Sequence, residues 1–351
     1  MKPETFPSTS VVLSAMDKFR GTATAREIGG VVEAAVASLG LLVDVQSMSD
    51  GGEGFLDAFD GELVLVEAPG PLLEPVIARV KIVPSSSGST AVIEASDLVG
   101  RDRLPAPSPQ QALTASSEGV GVVILAAARL GIDAALVGCG GTATSDGGLG
   151  CYRILAAAGG LPVTVTAATD ITAHFLGARR YARQKGVRAS DLGLVDERLA
   201  AARATYLAER GLDVEGIERS GAAGGIPGAL AALGAVVVSG VDAVARSVNL
   251  APRLARSSPV ITGEGRFDAG SLEGKVVVGV ARLVDPLVPL LVVCGSFNDA
   301  AARSFRRQYT NARIVSLEDR FGLDRALNEV RECVDTVVRE EVPRVLRSSL
   351  A

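Results

Sequence analysis

Between Gly138 and Gly150 the chain reads Gly-Cys-Gly-Gly-Thr-Ala-Thr-Ser-Asp-Gly-Gly-Leu-Gly. An apolar run of strand length, Ile132-Asp133-Ala134-Ala135-Leu136-Val137, precedes it. A mostly helix-forming segment, Leu149–Ala158, follows and is closed by Gly159-Gly160. Strand, glycine loop and helix in that order aim backbone N–H groups and the positive end of a helix at a phosphate. Glycine lets the main chain approach a ligand closely and take a positive φ. The loop has an echo: Ser49-Asp50-Gly51-Gly52-Glu53-Gly54 parallels Ser145-Asp146-Gly147-Gly148-Leu149-Gly150. Two such turns in one chain predict two loops facing one ligand, although either alone also fits a plain tight turn.

The rest of the composition narrows the class. A length of 351 residues predicts about two domains. With 48% of the residues apolar the chain is globular. A net charge of −5 without a basic stripe argues against nucleic acid as a partner. Cys139, Cys151, Cys294 and Cys333 form no CxxC pair, so neither a zinc site nor a disulfide framework is expected, and a cytoplasmic location fits. Met1–Ser10 is polar and Val11-Val12-Leu13 is too short for a signal core, so no secretory leader is expected. Ser220–Val241 is uncharged and long enough to cross a bilayer. Its glycines and Pro227 break it into loop, helix and strand, which predicts a second buried glycine loop and no membrane partner.

Taken in order, Val11–Ala15 is a strand, and Thr24 caps a helix to about Leu39 on which Ile28, Val31, Val32, Ala35 and Val36 recur at helical spacing. Leu42–Val45 is the next strand and runs into the Asp50 turn. The same grammar returns near the C-terminus. Pro259–Thr262 is a strand with the loop Gly263–Asp268, and a helix follows from about Lys275 to Val284. Pro289–Cys294 is a strand, about Ala300–Gln308 a helix, Ile314–Leu317 a strand, and Leu323–Leu346 an amphipathic helix with room for a bend near Pro343. Two halves of one doubly wound, mainly parallel α/β domain, interrupted by a second α/β domain, is the economical reading. The expected division is 1–66 plus 258–351 for the discontinuous domain and 67–257 for the insert. In the middle of the chain, Leu63–Val66, Val76–Val83 and Thr90–Ile93 read as short half-buried strands, Gly121–Leu130 as an apolar helix, and Thr172–Arg188 as an exposed polar stretch.

His174 is the sole histidine and stands among arginines, so histidine-based acid–base chemistry and multi-histidine metal sites are excluded. Carboxylates and lysines in glycine loops at strand ends are instead the material of phosphoryl transfer. Walker A fails: Gly274-Lys275 is followed by Val276, and Ala269 stands where the first glycine belongs. Gly138, Gly140 and Ala143 meet the weak dinucleotide fingerprint, but Asp146 beside the incoming helix would repel a bare pyrophosphate. A magnesium-bridged nucleoside triphosphate suits it better.

Together these loops resemble the glycerate kinases of the bacterial two-domain type, nearly end to end. Asp17-Lys18-Phe19-Arg20-Gly21 is similar to the family's Asp-Ser-Phe-Lys-Gly, and Asp50-Gly51-Gly52-Glu53-Gly54 is its second motif unchanged. Glu94-Ala95-Ser96, Gly119-Val120-Gly121, Gly140–Gly148, Gln184-Lys185-Gly186, Gly221–Gly225, Ile261–Asp268 and Gly274-Lys275 match further family segments in order. The resemblance implies phosphorylation of D-glycerate to 2-phosphoglycerate with ATP and Mg²⁺, and an active site in the cleft between two α/β domains. It leaves room for a homodimer. Arg20 stands for the family lysine, Val120 and Val122 for Thr and Glu, Ser145 for Asn, and Gly270 for Gln. These changes remove polar groups from the expected substrate side.

On this reading Asp146 is the first choice for general base or Mg²⁺ ligand, with Asp50 and Asp268 as alternates. Lys18, Arg20 and Arg266 are expected on the substrate carboxylate and the transferring phosphoryl group. Gly140, Gly141, Thr142, Thr144 and the Gly147 and Gly148 amides are expected to line the phosphate site. A metabolite-binding relative without turnover, a kinase for another hydroxy acid, and a nicotinamide-dependent dehydrogenase are the alternatives.

Overall fold

The computed structural model describes residues 11–85 and 88–348. The expectation about Met1–Ser10 lies outside the described residues. The chain divides into two units, Met1–Ser49 with Val241–Ala351, and Asp50–Gly240.

The chain opens with β1 (Val11–Met16), α1 (Ala25–Ser38) and β2 (Leu42–Ser47). The second unit follows as β3 (Glu62–Pro69), β4 (Pro75–Ser85), β5 (Gly88–Glu94), α2 (Ala95–Val99), α3 (Pro109–Thr114) and α4 (Glu118–Arg129). It continues through β6 (Ala134–Gly138), α5 (Leu149–Ala157), β7 (Thr164–Thr169), α6 (Leu192–Arg210), α7 (Ile226–Ala232) and β8 (Val236–Ser239). The first unit resumes with α8 (Gly240–Ser247), α9 (Leu250–Leu254), β9 (Ser257–Phe267), α10 (Val276–Leu283), β10 (Leu290–Phe297) and α11 (Asp299–Gln308). It ends with β11 (Ala312–Ser316), α12 (Leu317–Phe321), α13 (Leu323–Asn328) and α14 (Val330–Ser348).

In the first unit the strands lie in the order β11-β10-β9-β1-β2 and every pairing is parallel. Helix α1 starts where Thr24 and Glu27 form a capping box: the Glu27 N–H donates to Thr24 Oγ1 at 3.2 Å and the Thr24 N–H to Glu27 Oε2 at 2.8 Å. Its buried stripe of Ile28, Val32, Ala35 and Val36 meets Val334, Val337 and Val338 of α14 on one face of the sheet. Strand alternation sends Leu13, Ala15, Val260 and Val292, also buried, to the other face. There α10 packs on β9 and β1, and it comes so close to α8 that a Cβ on Gly279 would lie 2.4 Å from Val241. Helices on both faces of a parallel sheet make this unit doubly wound, as expected. Its topological switch point lies between β1 and β9, where such sheets bind ligands.

The second unit is a mixed sheet in the order β3-β4-β5-β6-β7-β8, with β3, β4 and β5 antiparallel and β5 to β8 parallel. On β4 the buried Val76, Ala78 and Val80 alternate with the exposed Ile77 and Arg79, the half-buried texture expected of this hairpin. Buried side chains of α2, α4, α5 and α7 form one core on the sheet.

Several boundaries differ from the sequence reading. The division falls at 49/50 and 240/241 because β3 pairs with β4 along its whole length, from Glu62↔Ile82 to Pro69↔Pro75. Helices α8 and α9 are tied to the first unit, Asp242 by Arg282 and Arg253 to Asp44 of β2 at 2.5 Å. Gly263–Phe267 is not a loop but the end of β9, paired with β10 as far as Phe267↔Phe297. The single C-terminal helix is two, because Glu329 at φ −124° and ψ 36° ends α13. Strand β7 and helix α6 were absent from the sequence reading.

Candidate active site

The Asp50 turn is seated on the carboxyl ends of the parallel strands of its own unit. Asp50 Oδ1 accepts the Gly52 N–H at 3.1 Å. Gly51, at φ +98°, has no room for a side chain, since a Cβ would lie 2.8 Å from the Ala168 carbonyl oxygen of β7. A Cβ on Gly140 would meet Gly52 Cα at 2.7 Å. Glu94, at the end of β5, holds the other side of the turn: its carboxylate accepts the N–H groups of Gly54 at 3.0 Å and Leu56 at 3.2 Å and the Ser96 hydroxyl at 2.7 Å. Burial pushes the Glu94 carboxyl above the usual range, and these donors pull it back. The turn and the start of the glycine loop are therefore brought together.

Asp146 repeats the Asp50 turn locally and then departs from it. Its Oδ1 accepts the Gly148 N–H at 3.0 Å. Its Oδ2 accepts the Ser117 N–H at 3.0 Å, the Ser117 hydroxyl at 2.7 Å and the Gly150 N–H at 3.2 Å. Oδ2 thus takes three donors and Oδ1 one of the about two that each carboxylate oxygen can accept. Ser117 Oγ in turn accepts the Cys151 N–H at 3.0 Å, so the buried carboxylate ties the starts of α4 and α5 together. Both oxygens of Asp146, expected as base or metal ligand, are thus engaged by protein donors, and the carboxylate has a structural role.

Further along the loop, the groups expected to line a phosphate also have protein partners. The Gly147 N–H donates to the Gly224 carbonyl at 2.9 Å, and the Gly148 N–H is the one held by Asp146. Thr144 is buried, with its hydroxyl on the Ala223 carbonyl at 3.2 Å, and a Cβ on Gly224 would lie 2.1 Å from the Thr144 oxygen. The second glycine loop thus covers Thr144 to Gly148 instead of facing a ligand. Gly141 alone in Gly138–Gly148 is exposed. Among the described residues the N–H groups of Gly140, Gly141 and Thr142 have no protein acceptor. Arg101 N–H to the Gly141 carbonyl at 3.0 Å and Ala143 N–H to the Val99 carbonyl at 2.8 Å tie that segment to the end of α2. Gly140, Gly141 and the Thr142 amide remain as an anion cradle.

Two further residues of this unit, Asp170 and Lys185, were given no site role in the sequence, Lys185 being quoted only within a matching segment. Asp170 directly follows β7, one strand over from the cradle. Lys185 is buried, with its ammonium on the Thr144 carbonyl at 2.6 Å. Burial lowers its pKa to about 8, with Asp146 and Asp170 pulling upward and Arg101 downward. The segment Thr172–Arg188 is not simply exposed. Phe175, Ala178, Ala182 and Val187 are buried while Arg179, Arg180, Arg183 and Arg188 face water. His174 is a surface residue, its Nδ1 2.8 Å from the Glu215 carbonyl oxygen. The alternation of Thr164-Val165-Thr166 was the available signal for β7, and hence for Asp170.

In the first unit the segments that carry the expected cations run side by side at the switch point. The Asp17 N–H donates to the Gly263 carbonyl at 3.0 Å, and the Lys18 N–H to Asp17 Oδ1 at 2.8 Å. A Cβ on Gly265 would lie 3.0 Å from the Arg20 nitrogen. Lys18 and Arg20 from the end of β1 are thus beside Arg266 of β9, with Arg20 and Arg266 exposed. Asp268 lies 3.8 Å from Arg266 and accepts the Gly270 N–H at 2.9 Å. Val120 and Val122 are not substrate-side positions, since Val120 is in the core and Val122 packs against it. Cys139, Cys151, Cys294 and Cys333 are all free and buried. Among the described residues no group of three or more His, Cys, Asp or Glu could hold a metal ion, and no helix is long and apolar enough to cross a membrane.

A phosphate-type cradle at the ends of the second unit's parallel strands, with Asp50, Asp170 and Lys185 in the same unit, suits phosphoryl transfer. Comparison with known proteins agrees. The model of the glycerate kinase family matches residues 12–160 and 156–346. Glycerate 2-kinase of Escherichia coli K12 is 30% identical over 331 residues, covering 82% of this chain and 86% of that protein. An uncharacterized protein of Mycobacterium bovis is 38% identical over 279 residues, covering 74% and 72%. A crystal structure from Salmonella typhimurium LT2, described as glycerate kinase 2, superposes with a TM-score of 0.76 at 23% identity, covering 98% of this chain and all of that one. The chain belongs to the glycerate kinase family and is a kinase.

Proposed function

We propose that the protein transfers the γ-phosphoryl group of ATP to the 2-hydroxyl of D-glycerate, giving 2-phosphoglycerate and ADP, and that it works in the cytoplasm. Kinship with a glycerate 2-kinase over four fifths of the chain carries the reading. The open amides of Gly140, Gly141 and Thr142 support it as the place where phosphate oxygens are received. Asp170 is the general base in this proposal, because it stands at a strand end beside the cradle, whereas Asp146 is buried and holds four protein donors. The hydroxyl oxygen attacks the γ-phosphorus, its proton passes to the Asp170 carboxylate, and the bond to the β–γ bridging oxygen breaks as ADP leaves.

Mg²⁺ would enter with the nucleotide, needs only one or two carboxylates besides phosphate and water, and would neutralise the phosphate charge. Asp50 fits that requirement, since the hydrogen bond within its turn uses only Oδ1. Asp146 fits it less well, since its Oδ2 already takes three protein donors. Asp268 is the half-exposed carboxylate of the first unit with the same character, one oxygen being held by Gly270. Lys18, Arg20 and Arg266 would bind the substrate carboxylate and steady charge developing on the phosphoryl group. The reading is tested by ADP release from a panel of hydroxy acids with ATP and Mg²⁺. D-Glycerate should be the preferred acceptor, and Asp170→Asn should lower kcat by roughly two to four powers of ten with folding intact. No turnover of any hydroxy acid with Mg²⁺ or Mn²⁺ would end it.

A further inference from the structure

Lys185 ends a short 3₁₀ turn, Arg183–Lys185, and its side chain runs inward from an otherwise solvent-facing row of arginines. It is 6% exposed. An ammonium carries three N–H donors. One is used, on the Thr144 carbonyl at 2.6 Å, and among the described residues no carboxylate forms an ion pair with Lys185. A buried charge left this way is costly, and an apolar side chain of similar length would serve the fold better. The carbonyl it does meet belongs to the same loop whose open amides, Gly140 to Thr142, form the anion cradle. Thr144 and Thr142 are linked by their hydroxyls at 3.4 Å, so ammonium and cradle belong to one connected piece.

We propose that Lys185 is a ligand-binding cation of the phosphoryl-transfer site, its two remaining N–H groups receiving an anionic oxygen of the phosphate held at Gly140–Thr142. The inference rests on the phosphotransferase reading for the identity of the anion and on the geometry for its place. The charged groups felt by Lys185 are Asp146 of the glycine loop, Asp170 after β7, and Arg101 beside Gly141. Burial outweighs the two carboxylates, so the free ammonium loses its proton near pH 8. An anion bound to it favours the protonated form. By linkage, affinity for that anion falls up to tenfold per pH unit above about pH 8 until the bound-state pKa is reached.

The chain has five lysines, at positions 2, 18, 81, 185 and 275, so lysine-selective ¹³C labelling gives few ε-methylene resonances to follow. The Lys185 resonance is the one lost in Lys185→Met; should that variant fail to fold, Lys185→Arg removes the same signal. In the free protein it should titrate about two units below the exposed lysines. Saturating inorganic phosphate, ATP or 2-phosphoglycerate should raise that midpoint by a unit or more. Lys185→Met should weaken the binding of whichever probe raises it at least tenfold at pH 7 and by less at pH 9.5. If no probe moves the midpoint, or if Lys185→Met keeps wild-type kcat and affinity, the assignment is overturned. The titration is independent of the acceptor. A shift without glycerate turnover keeps Lys185 and discards the substrate; turnover without a shift does the reverse.

Discussion

Replacing Asp146 by asparagine separates a structural clamp from a catalytic carboxylate. The amide keeps one oxygen. With that oxygen at the Oδ2 position it still accepts from Ser117 N–H, Ser117 Oγ and Gly150 N–H, but its NH₂ then faces the Gly148 N–H. Flipping the amide strands three donors instead of one, so the first orientation prevails. A stranded buried donor costs about 1–3 kcal/mol. The three surviving bonds lose their charge assistance, roughly halving them. The group is almost fully buried, so solvent screening restores little. The sum is about 4 kcal/mol, which in a unit of this size lowers Tm by about 8–16 °C. Thermal unfolding followed by circular dichroism reads this directly, and ADP release measured well below the variant's midpoint should stay within about tenfold of wild type. A Tm within about 2 °C of wild type together with a kcat down a hundredfold would refute the clamp and return Asp146 to the chemistry.

Other outcomes follow from the same geometry. Val122→Glu, which would restore the family's residue, should cost about 1–3 kcal/mol by placing a carboxylate against the core beside Val120, with the KM for glycerate unchanged; a change in KM without loss of Tm would put Val122 back at the substrate. Gly224→Ala should lower the urea midpoint by at least about 3 kcal/mol of stability, because its φ of +73° is strained for alanine and the Cβ would lie 2.1 Å from the Thr144 oxygen; a neutral result would mean the two glycine loops are not in contact. Between about pH 8 and the ordinary lysine value, the unfolded chain holds a proton on Lys185 that the native chain has lost, so stability rises with pH across that window. The rise should be about 2–3 kcal/mol and absent from Lys185→Met; equal pH slopes in the two proteins would contradict the depressed pKa.

How much of this was legible depends on what kind of signal each part leaves. The strands and helices of the first unit were readable because their apolar residues repeat at the right period between Thr24, Gly40 and the turns. Gly263–Phe267 was misread because glycines and charges look like loop, whereas pairing with Gly295 and Ser296 of β10 keeps the segment extended. The Asp50 turn and its echo at Asp146 have the same local form, an Asp oxygen on the N–H two residues on. What differs is tertiary: Ser117 and Gly150 add three donors to Asp146 and none to Asp50. No local pattern reports that. Similarly, Gly147 and Gly148 look like phosphate amides until Gly221–Gly225 is seen to cover them. Lys185 was hidden by its exposed arginine neighbours, since the burial of one side chain in a 3₁₀ turn has no period to betray it.

The central claim is phosphorylation of D-glycerate at its 2-hydroxyl by ATP, and the product itself tests it most directly. Protein, ATP, Mg²⁺ and D-glycerate are incubated, and the mixture is read by ³¹P and ¹H nuclear magnetic resonance. The phosphate position is assigned from proton–phosphorus coupling. The account predicts stoichiometric ADP and a phosphate coupled to the single C2 proton, with neither formed by Asp170→Asn on the same timescale. A phosphate coupled to the C3 methylene protons, or ATP left intact, would contradict it.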